Sequence, residues 1–111
     1  MKKSTKGNKV IAEFSIIPIG TKKTSLSTYI SDVIKALEKV ENLEFKVTPM
    51  GSILEAASLT TIFQAVKSAH QTIFDKGAER VLSTLRIDDR KDKHRTMQDK
   101  LEALESKRKL A

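Results

Sequence analysis

The sequence predicts an α+β domain in which four strands and two helices follow the order βαββαβ, with an extra C-terminal helix. Three observations favour this order. Four short runs alternate between apolar and polar residues, two longer segments repeat apolar residues every three or four positions, and Pro, Gly or Asn separates several of them. Right-handed crossovers then give an antiparallel sheet in the spatial order 4-1-3-2, with both main helices on one face. This is the ferredoxin-like fold.

The first predicted strand, residues 10–20, has two unlike faces. One face is apolar and belongs in a core, because period-two alternation brings together Val10, Ala12, Phe14 and Ile16. The other face carries Glu13 and Ser15 between Ile11 and Ile17. A carboxylate and a hydroxyl in the middle of a strand make this second face the candidate functional surface.

The middle of the chain is predicted to be a helix followed by two strands. Ser25 or Ser27 is placed to cap the helix, which is amphipathic and runs to about Val40. The second strand spans residues 44–49 and the third spans residues 53–57. We expect these two strands to form a hairpin.

The last elements are a helix, a strand and the extra helix. Ser58 is placed to cap the second helix, and Gly77 follows its end where a left-handed residue belongs. The fourth strand covers residues 81–88, and the third helix begins at Thr96 with Asp99 in a capping-box position. The second helix has an apolar stripe that is expected to face the sheet: Leu59, Ile62, Phe63, Val66, Ala69 and Ile73.

The formal charge of +7 lies at the two ends of the chain. Residues 10–85 contain eight basic and eight acidic residues, so the excess comes from residues 1–9 and 86–111. RNA-recognition modules of the same element order stack bases on aromatic residues of their central strands, whereas the corresponding open-face positions here are Glu, Ser and Ile. We therefore expect no specific nucleic-acid binding, and only weak, salt-sensitive binding by the tails.

Length and composition predict one domain, residues 9–111, preceded by a disordered basic tail at residues 1–8. No run approaches the length of a membrane span and no signal-peptide core is recognisable, so we expect a cytoplasmic protein without membrane insertion. The chain has no cysteine, which excludes disulfides and thiolate metal sites.

Neither a catalytic motif nor a cofactor motif is present. The chain has no Gly-rich phosphate loop and no nucleophile elbow, so an enzyme is not indicated. The charged run 86–94 contains carboxylates and an imidazole, but its interspersed cations favour a salt-bridged loop over a metal site.

The open sheet face is predicted to combine charged groups with Ile11, Ile17, Ile53 and Leu82. One interpretation is an ordinary solvated face. The other is a surface that contacts a partner or ligand, which the aliphatic residues favour. In that case the acids on this face need partners, because an unpaired buried charge is costly.

Five segments resemble the thiamine-binding-protein family: residues 14–20, 25–29, 48–55, 77–81 and 86–90. The resemblance covers roughly residues 10–104. It implies a ferredoxin-like fold, no catalysis, and a homotetramer, a dimer of dimers in which extended sheets pack face to face. It also implies binding of thiamine or its hydroxymethylpyrimidine half near the subunit interface.

The chemistry of thiamine is compatible with the residues of the open face. An aminopyrimidine needs carboxylate and hydroxyl partners, and a cationic thiazolium needs a nearby acid. The candidate ligand-binding residues are Glu13, Ser15, Thr48, Met50, Glu55, Arg86 and Asp88, with Arg86 expected to orient an acid. The alternative is a structural or interaction homo-oligomer that binds no small ligand.

Overall fold

The computed structural model describes residues 9–20, 27–92 and 96–110. The predicted tail at residues 1–8 and the possible cap at Ser25 lie outside these ranges. The remaining elements follow the predicted order, βαββαβ plus a helix. The strands are β1 (Val10–Ile19), β2 (Glu44–Thr48), β3 (Gly51–Ala56) and β4 (Arg80–Asp89), and the helices are α1 (Ser27–Glu38), α2 (Leu59–Asp75) and α3 (Met97–Leu110).

The four strands form one antiparallel sheet in the order β2-β3-β1-β4. This is the predicted order read from the opposite edge, so the ferredoxin-like prediction is confirmed. The third strand begins at Gly51 rather than at residue 53, because Gly51 and Ser52 pair with the end of β2. Strand β1 pairs with both β3 and β4, and its two faces therefore define the two faces of the sheet.

The core lies between the sheet and the helices α1 and α2. The predicted apolar face of β1 is buried, with Phe14 only 1% exposed. Other buried members come from α1, β3 and α2: Val33, Leu37, Leu54, Ala56, Ile62, Ala65, Ala69 and Ile73. The open face of the sheet is thus the one that carries Glu13 and Ser15, as the alternation predicted.

The predicted apolar stripe of α2 includes two residues that are exposed in the structure. Ile62, Ala69 and Ile73 are buried as expected, but Leu59 and Phe63 are 37% and 52% exposed. The small side chain of Ala65 allows close packing, and the stripe of buried residues is centred on it. Leu59 and Phe63 consequently lie at the margin of the helix layer.

Both ends of α2 have the predicted caps. The Ser58 hydroxyl accepts a hydrogen bond from the Thr61 backbone N–H at 3.3 Å. Gly77 has a φ of 101°, and its N–H donates to the Phe74 carbonyl at 2.9 Å. On the side of α2 that faces β4, a His70 ring nitrogen and the Ser83 hydroxyl form a 2.9 Å hydrogen bond.

Helix α3 begins against the open face of the sheet. The molecule measures 48 × 39 × 18 Å, and its shortest dimension accommodates the sheet and one helix layer. Beyond its first turns α3 has little to pack against, since Leu101 and Leu104 are 52% and 66% exposed. None of the helices in the described ranges has the length and apolarity required to cross a membrane.

Candidate functional site

The open sheet face is a set of cross-strand rows. Strand pairing places Ile11 between Glu55 of β3 and Asp88 of β4. In the next row, Glu13 lies between Ile53 and Arg86. Glu44 of β2 extends the first row and Lys46 extends the second. The face therefore combines charged and aliphatic side chains, and the predicted phase of β3 is confirmed.

Glu13 and Arg86 form an ion pair across β1 and β4. An Arg86 Nη2 atom lies 3.5 Å from Glu13 Oε1. Both side chains are largely exposed, at 55% for Glu13 and 83% for Arg86. Such an exposed cross-strand pair contributes at most about 1 kcal/mol to stability. Neither group is committed to the fold, so both remain free to engage a ligand or a partner chain.

Glu55 occupies a different environment from Glu13. Its residue is only 4% exposed, and its Oε1 accepts a 2.8 Å hydrogen bond from the Met97 backbone N–H. Met97 is the first residue of α3, where backbone N–H groups lack partners within the helix and the helix dipole favours a negative charge. Glu55 thus attaches α3 to the sheet.

The pKa of Glu55 is raised, first by burial and then by a hydrogen bond with the neighbouring Glu44 carboxyl. The Met97 N–H acts in the opposite direction, because it stabilises the charged form. Glu55 therefore takes up a proton at a higher pH than a free glutamate does.

The start of α3 has a local cap and a second attachment to the sheet. Thr96 and Asp99 form the predicted reciprocal capping box, with two backbone-to-side-chain hydrogen bonds of 3.1 Å. One turn into the helix, the Lys100 ammonium pairs with the Asp88 carboxylate of β4. The ammonium also donates a hydrogen bond to this carboxylate, which lowers the pKa of Asp88 and keeps it ionised.

An open cleft of about 360 Å³ lies where α3 approaches the sheet. Its volume falls at the small end of the range for ligand pockets, roughly 300–1,000 Å³. The cleft combines an aliphatic floor with two acids and two bases: Ile11, Ile53, Glu13, Asp88, Arg86 and Lys100. Of the predicted site residues, the structure brings Glu13, Arg86 and Asp88 together in this cleft.

The other predicted residues lie around the cleft or further along the face. Thr48 and Met50 belong to the β2–β3 turn, where the Thr48 hydroxyl donates to the Gly51 carbonyl at 2.9 Å and accepts from the Met50 N–H at 3.2 Å. Met50 is 86% exposed. Ser15 pairs with Thr84 and lies near Gly51, one row away from Glu13. These three residues form a separate group rather than a wall of the cleft.

Lys100 is the site residue that the sequence analysis missed. It flanks the thin apolar stripe of α3, three residues after Met97 and four before Leu104, and resembles an ordinary solvent-facing lysine. The one available signal was the capping box, which fixes where α3 begins but not where its first turn is directed. Glu44 was missed as well, because its importance depends on its pairing with Glu55.

A second groove, of about 450 Å³, runs between α1 and α2 on the opposite side of the molecule. One buried oxygen of Asp32 there has no hydrogen-bond partner, although the Lys76 ammonium lies 3.8 Å away. The groove lacks an aliphatic floor with convergent acids and bases. It is therefore a weaker candidate than the cleft on the sheet.

The sequence profile of the thiamine-binding-protein family matches residues 12–105. Among similar proteins, a UPF0045 protein of Methanothermobacter thermautotrophicus is 42% identical over 98 residues, which cover 88% of this chain and 98% of that protein. The UPF0045 protein YqgV of Bacillus subtilis is 39% identical, with 85% and 92% covered.

Solved structures show the same fold. The hypothetical protein MJ1052 of Methanocaldococcus jannaschii superposes with a TM-score of 0.80 at 42% identity, covering 88% of this chain and 97% of that one. A Thermotoga maritima protein superposes with a TM-score of 0.69 at 21% identity, covering 86% and 98%. The likeness spans nearly the whole of each of these two relatives.

Proposed function

Because the chain belongs to the thiamine-binding-protein family, we propose that it binds thiamine, or its hydroxymethylpyrimidine half, and catalyses no reaction. The proposed site is the cleft on the open sheet face. The observation that carries the proposal is the pairing of two accessible carboxylates, Glu13 and Asp88, with an aliphatic floor in one cleft.

The chemistry of each part of the ligand has a counterpart in the cleft. The flat apolar surface of an aminopyrimidine suits a floor made of Ile11 and Ile53. Its exocyclic amine donates hydrogen bonds, which Glu13 accepts in the proposed complex. The thiazolium cation is stabilised by Asp88, and Arg86 orients Glu13 from the neighbouring strand.

The remaining predicted residues have supporting roles in this proposal. Glu55 already has a partner in the Met97 N–H, so it positions α3 beside the cleft instead of meeting the ligand directly. Ser15, Thr48 and Met50 lie along the same face, where they contact the ligand only if a second chain closes over them.

The proposed assembly is a homotetramer, and the open face supplies one of its contacts. Ile17 and Leu82 are cross-strand neighbours on this face and are 43% and 51% exposed. Burying such a pair against a second copy is favourable by about 25 cal/mol for each Å² removed from water. Face-to-face packing would also close the cleft against solvent.

The second contact of the proposed dimer of dimers is the edge of the sheet. Strand β4 is ten residues long and pairs only with β1, so its outer hydrogen-bonding edge is available within the described part of the chain. Phe63 and Phe74 are exposed at 52% and 41% on the adjoining helix α2. Pairing β4 with the β4 of a second copy would extend the sheet and cover unpaired backbone groups.

In this proposal the protein takes part in thiamine supply or homeostasis, in the cytoplasm that the sequence favours. The test is isothermal titration calorimetry with thiamine and with hydroxymethylpyrimidine. We expect wild-type protein to bind, and Glu13→Gln to weaken binding by about 1.5–3 kcal/mol, which is the value of a hydrogen bond to a charged group.

The matched control is Glu38→Gln, which removes the same charge from an exposed position at the end of α1. This control should bind as the wild type does. Absence of binding heat with both ligands, or equal losses in Glu13→Gln and Glu38→Gln, would contradict the proposed site.

A further inference from the structure

We propose that the cleft on the open sheet face prefers a phosphate monoester of its ligand, with Arg86 and Lys100 holding the phosphate. The inference rests on the proposed function, because it concerns the same site and names the form of the ligand. It starts from the two cations of the cleft, whose acidic partners are the same carboxylates that a cationic ligand would engage.

The cleft contains two ion pairs, and the charges of their two acids and two bases cancel. Glu13 faces Arg86 on one side, and Asp88 faces Lys100 on the other. A ligand that carries only a positive charge competes with Arg86 and Lys100 for the acids. Each cation that loses its acid then needs a new anion, since leaving it unpaired in a closed site is costly.

Both cations are available for such an exchange. The Arg86 side chain is 83% exposed and its Nη2 lies 3.5 Å from Glu13 Oε1, so the guanidinium is accessible to another anion. The Lys100 side chain is 43% exposed and belongs to the part of α3 that lies beside the sheet. Both ion pairs are accessible to solvent, so neither cation has to leave a buried position to meet a new anion.

The two cations border the same cleft. Arg86 and Asp88 are two residues apart on the same face of β4, and therefore about 7 Å apart along the strand. Because Asp88 holds Lys100, the guanidinium and the ammonium border the same cleft. A phosphate between them would receive an arginine fork from one side and a point charge from the other.

A ligand with charges of both signs satisfies all four groups together. Its cationic ring meets the acids, and its phosphate meets the bases that the ring displaces. Thiamine monophosphate has this distribution, and hydroxymethylpyrimidine phosphate has the phosphate without the cation. The preference should therefore be largest for the first of these molecules.

The experiment compares dissociation constants by calorimetry for thiamine and thiamine monophosphate, with inorganic phosphate as a separate probe. We expect wild-type protein to bind the monoester at least about tenfold more tightly than thiamine. Inorganic phosphate should bind weakly, because it lacks the ring that contacts the floor.

The discriminating quantity is the ratio of the two dissociation constants in variants. Arg86→Gln and Lys100→Gln should each reduce the ratio toward one, whereas Lys35→Gln, an exposed lysine of α1, should leave it unchanged. Equal affinities in the wild type, or a ratio that persists in both variants, would overturn the inference and leave the proposed function standing. Absence of binding by both molecules would overturn the proposed function itself.

Discussion

The backbone N–H of Met97 donates a 2.8 Å hydrogen bond to the carboxylate of Glu55, which lies 42 residues earlier in the chain. Glu55 is on a central strand, and Met97 is the first residue of the added helix. A buried acid in the sheet thereby holds the first turn of α3 against the sheet, and with it Lys100 at the cleft.

Replacing Glu55 with Ala should therefore destabilise the protein. The change leaves the Met97 N–H without its acceptor, which costs about 1–3 kcal/mol. Glu55→Gln keeps an acceptor oxygen and should retain most of the stability. Urea unfolding followed by circular dichroism measures both effects, with Glu38→Ala as an exposed control. A loss in Glu55→Ala no larger than that of the control would contradict the attachment.

Stability should also depend on pH through Glu55. Burial raises the pKa of this carboxyl, so the folded chain binds the proton more tightly than the unfolded chain does. In the unfolded chain the pKa of Glu55 is near 4.5. The stabilisation from Glu55 is therefore complete below that unfolded value and is lost as the pH rises through the folded one.

The comparison that isolates this effect is wild type against Glu55→Gln, which mimics the protonated acid at every pH. We expect the stability of the variant relative to wild type to be greater at about pH 7 than at about pH 5. Urea unfolding at both values provides the measurement. A relative stability that stays constant, or that increases on acidification, would show that Glu55 is not the group responsible.

Replacing Ile17 with Lys should dissociate the proposed assembly. Ile17 lies beside Leu82 on the open face, where a buried ammonium would have no partner. Ile30→Lys is the matched control, because Ile30 is equally exposed, at 45% against 43%, but belongs to the helix layer. Light scattering coupled to size exclusion should show a smaller species for the first variant only. If both variants have the same mass, the sheet face is not part of the interface.

Gly51→Ala should destabilise the β2–β3 hairpin. A Cβ atom at Gly51 would lie 2.7 Å from the Phe14 carbonyl oxygen of the central strand, and its φ of 153° disfavours any side chain. Gly20→Ala is the comparison, since Gly20 also has a positive φ but nothing within 4 Å of the added atom. We expect Gly51→Ala to lose about 1–3 kcal/mol and to lose more than Gly20→Ala. If the two variants lose equal stability, backbone strain alone explains the loss and the contact with the Phe14 carbonyl contributes nothing.

The sequence predicted the sheet and its open face because both depend on local alternation. Period-two spacing alone assigned Glu13 and Ser15 to one face of β1, and the same rule assigned Glu55 correctly in a strand of six residues. Right-handed crossovers then determined the strand order.

The partners of the charged residues were not predictable in the same way. Arg86 was expected to orient an acid, and in the structure the acid that pairs with it is Glu13. The partner of Glu55 is a backbone N–H on α3, and that contact depends on the direction that the chain takes before Thr96. Lys100 could not be distinguished from other exposed lysines for the same reason.

The prediction for Thr48 also shows this limit. A threonine on the open face was expected to offer its hydroxyl to a ligand, but the same hydroxyl serves the turn that follows β2. Thr, Ser, Asn and Asp commonly bond to nearby backbone in this way. Sequence alone gives no means of choosing between the two uses.

Native mass spectrometry of the wild-type protein with and without thiamine tests the central claim most directly, because it reports assembly and bound mass together. We predict a tetramer of the 12.4 kDa chain that gains the mass of thiamine at up to one molecule per subunit. The Glu13→Gln variant should remain tetrameric and retain less thiamine at the same concentration. A 12.4 kDa monomer that gains no mass over a titration to millimolar thiamine would contradict both the assembly and the site.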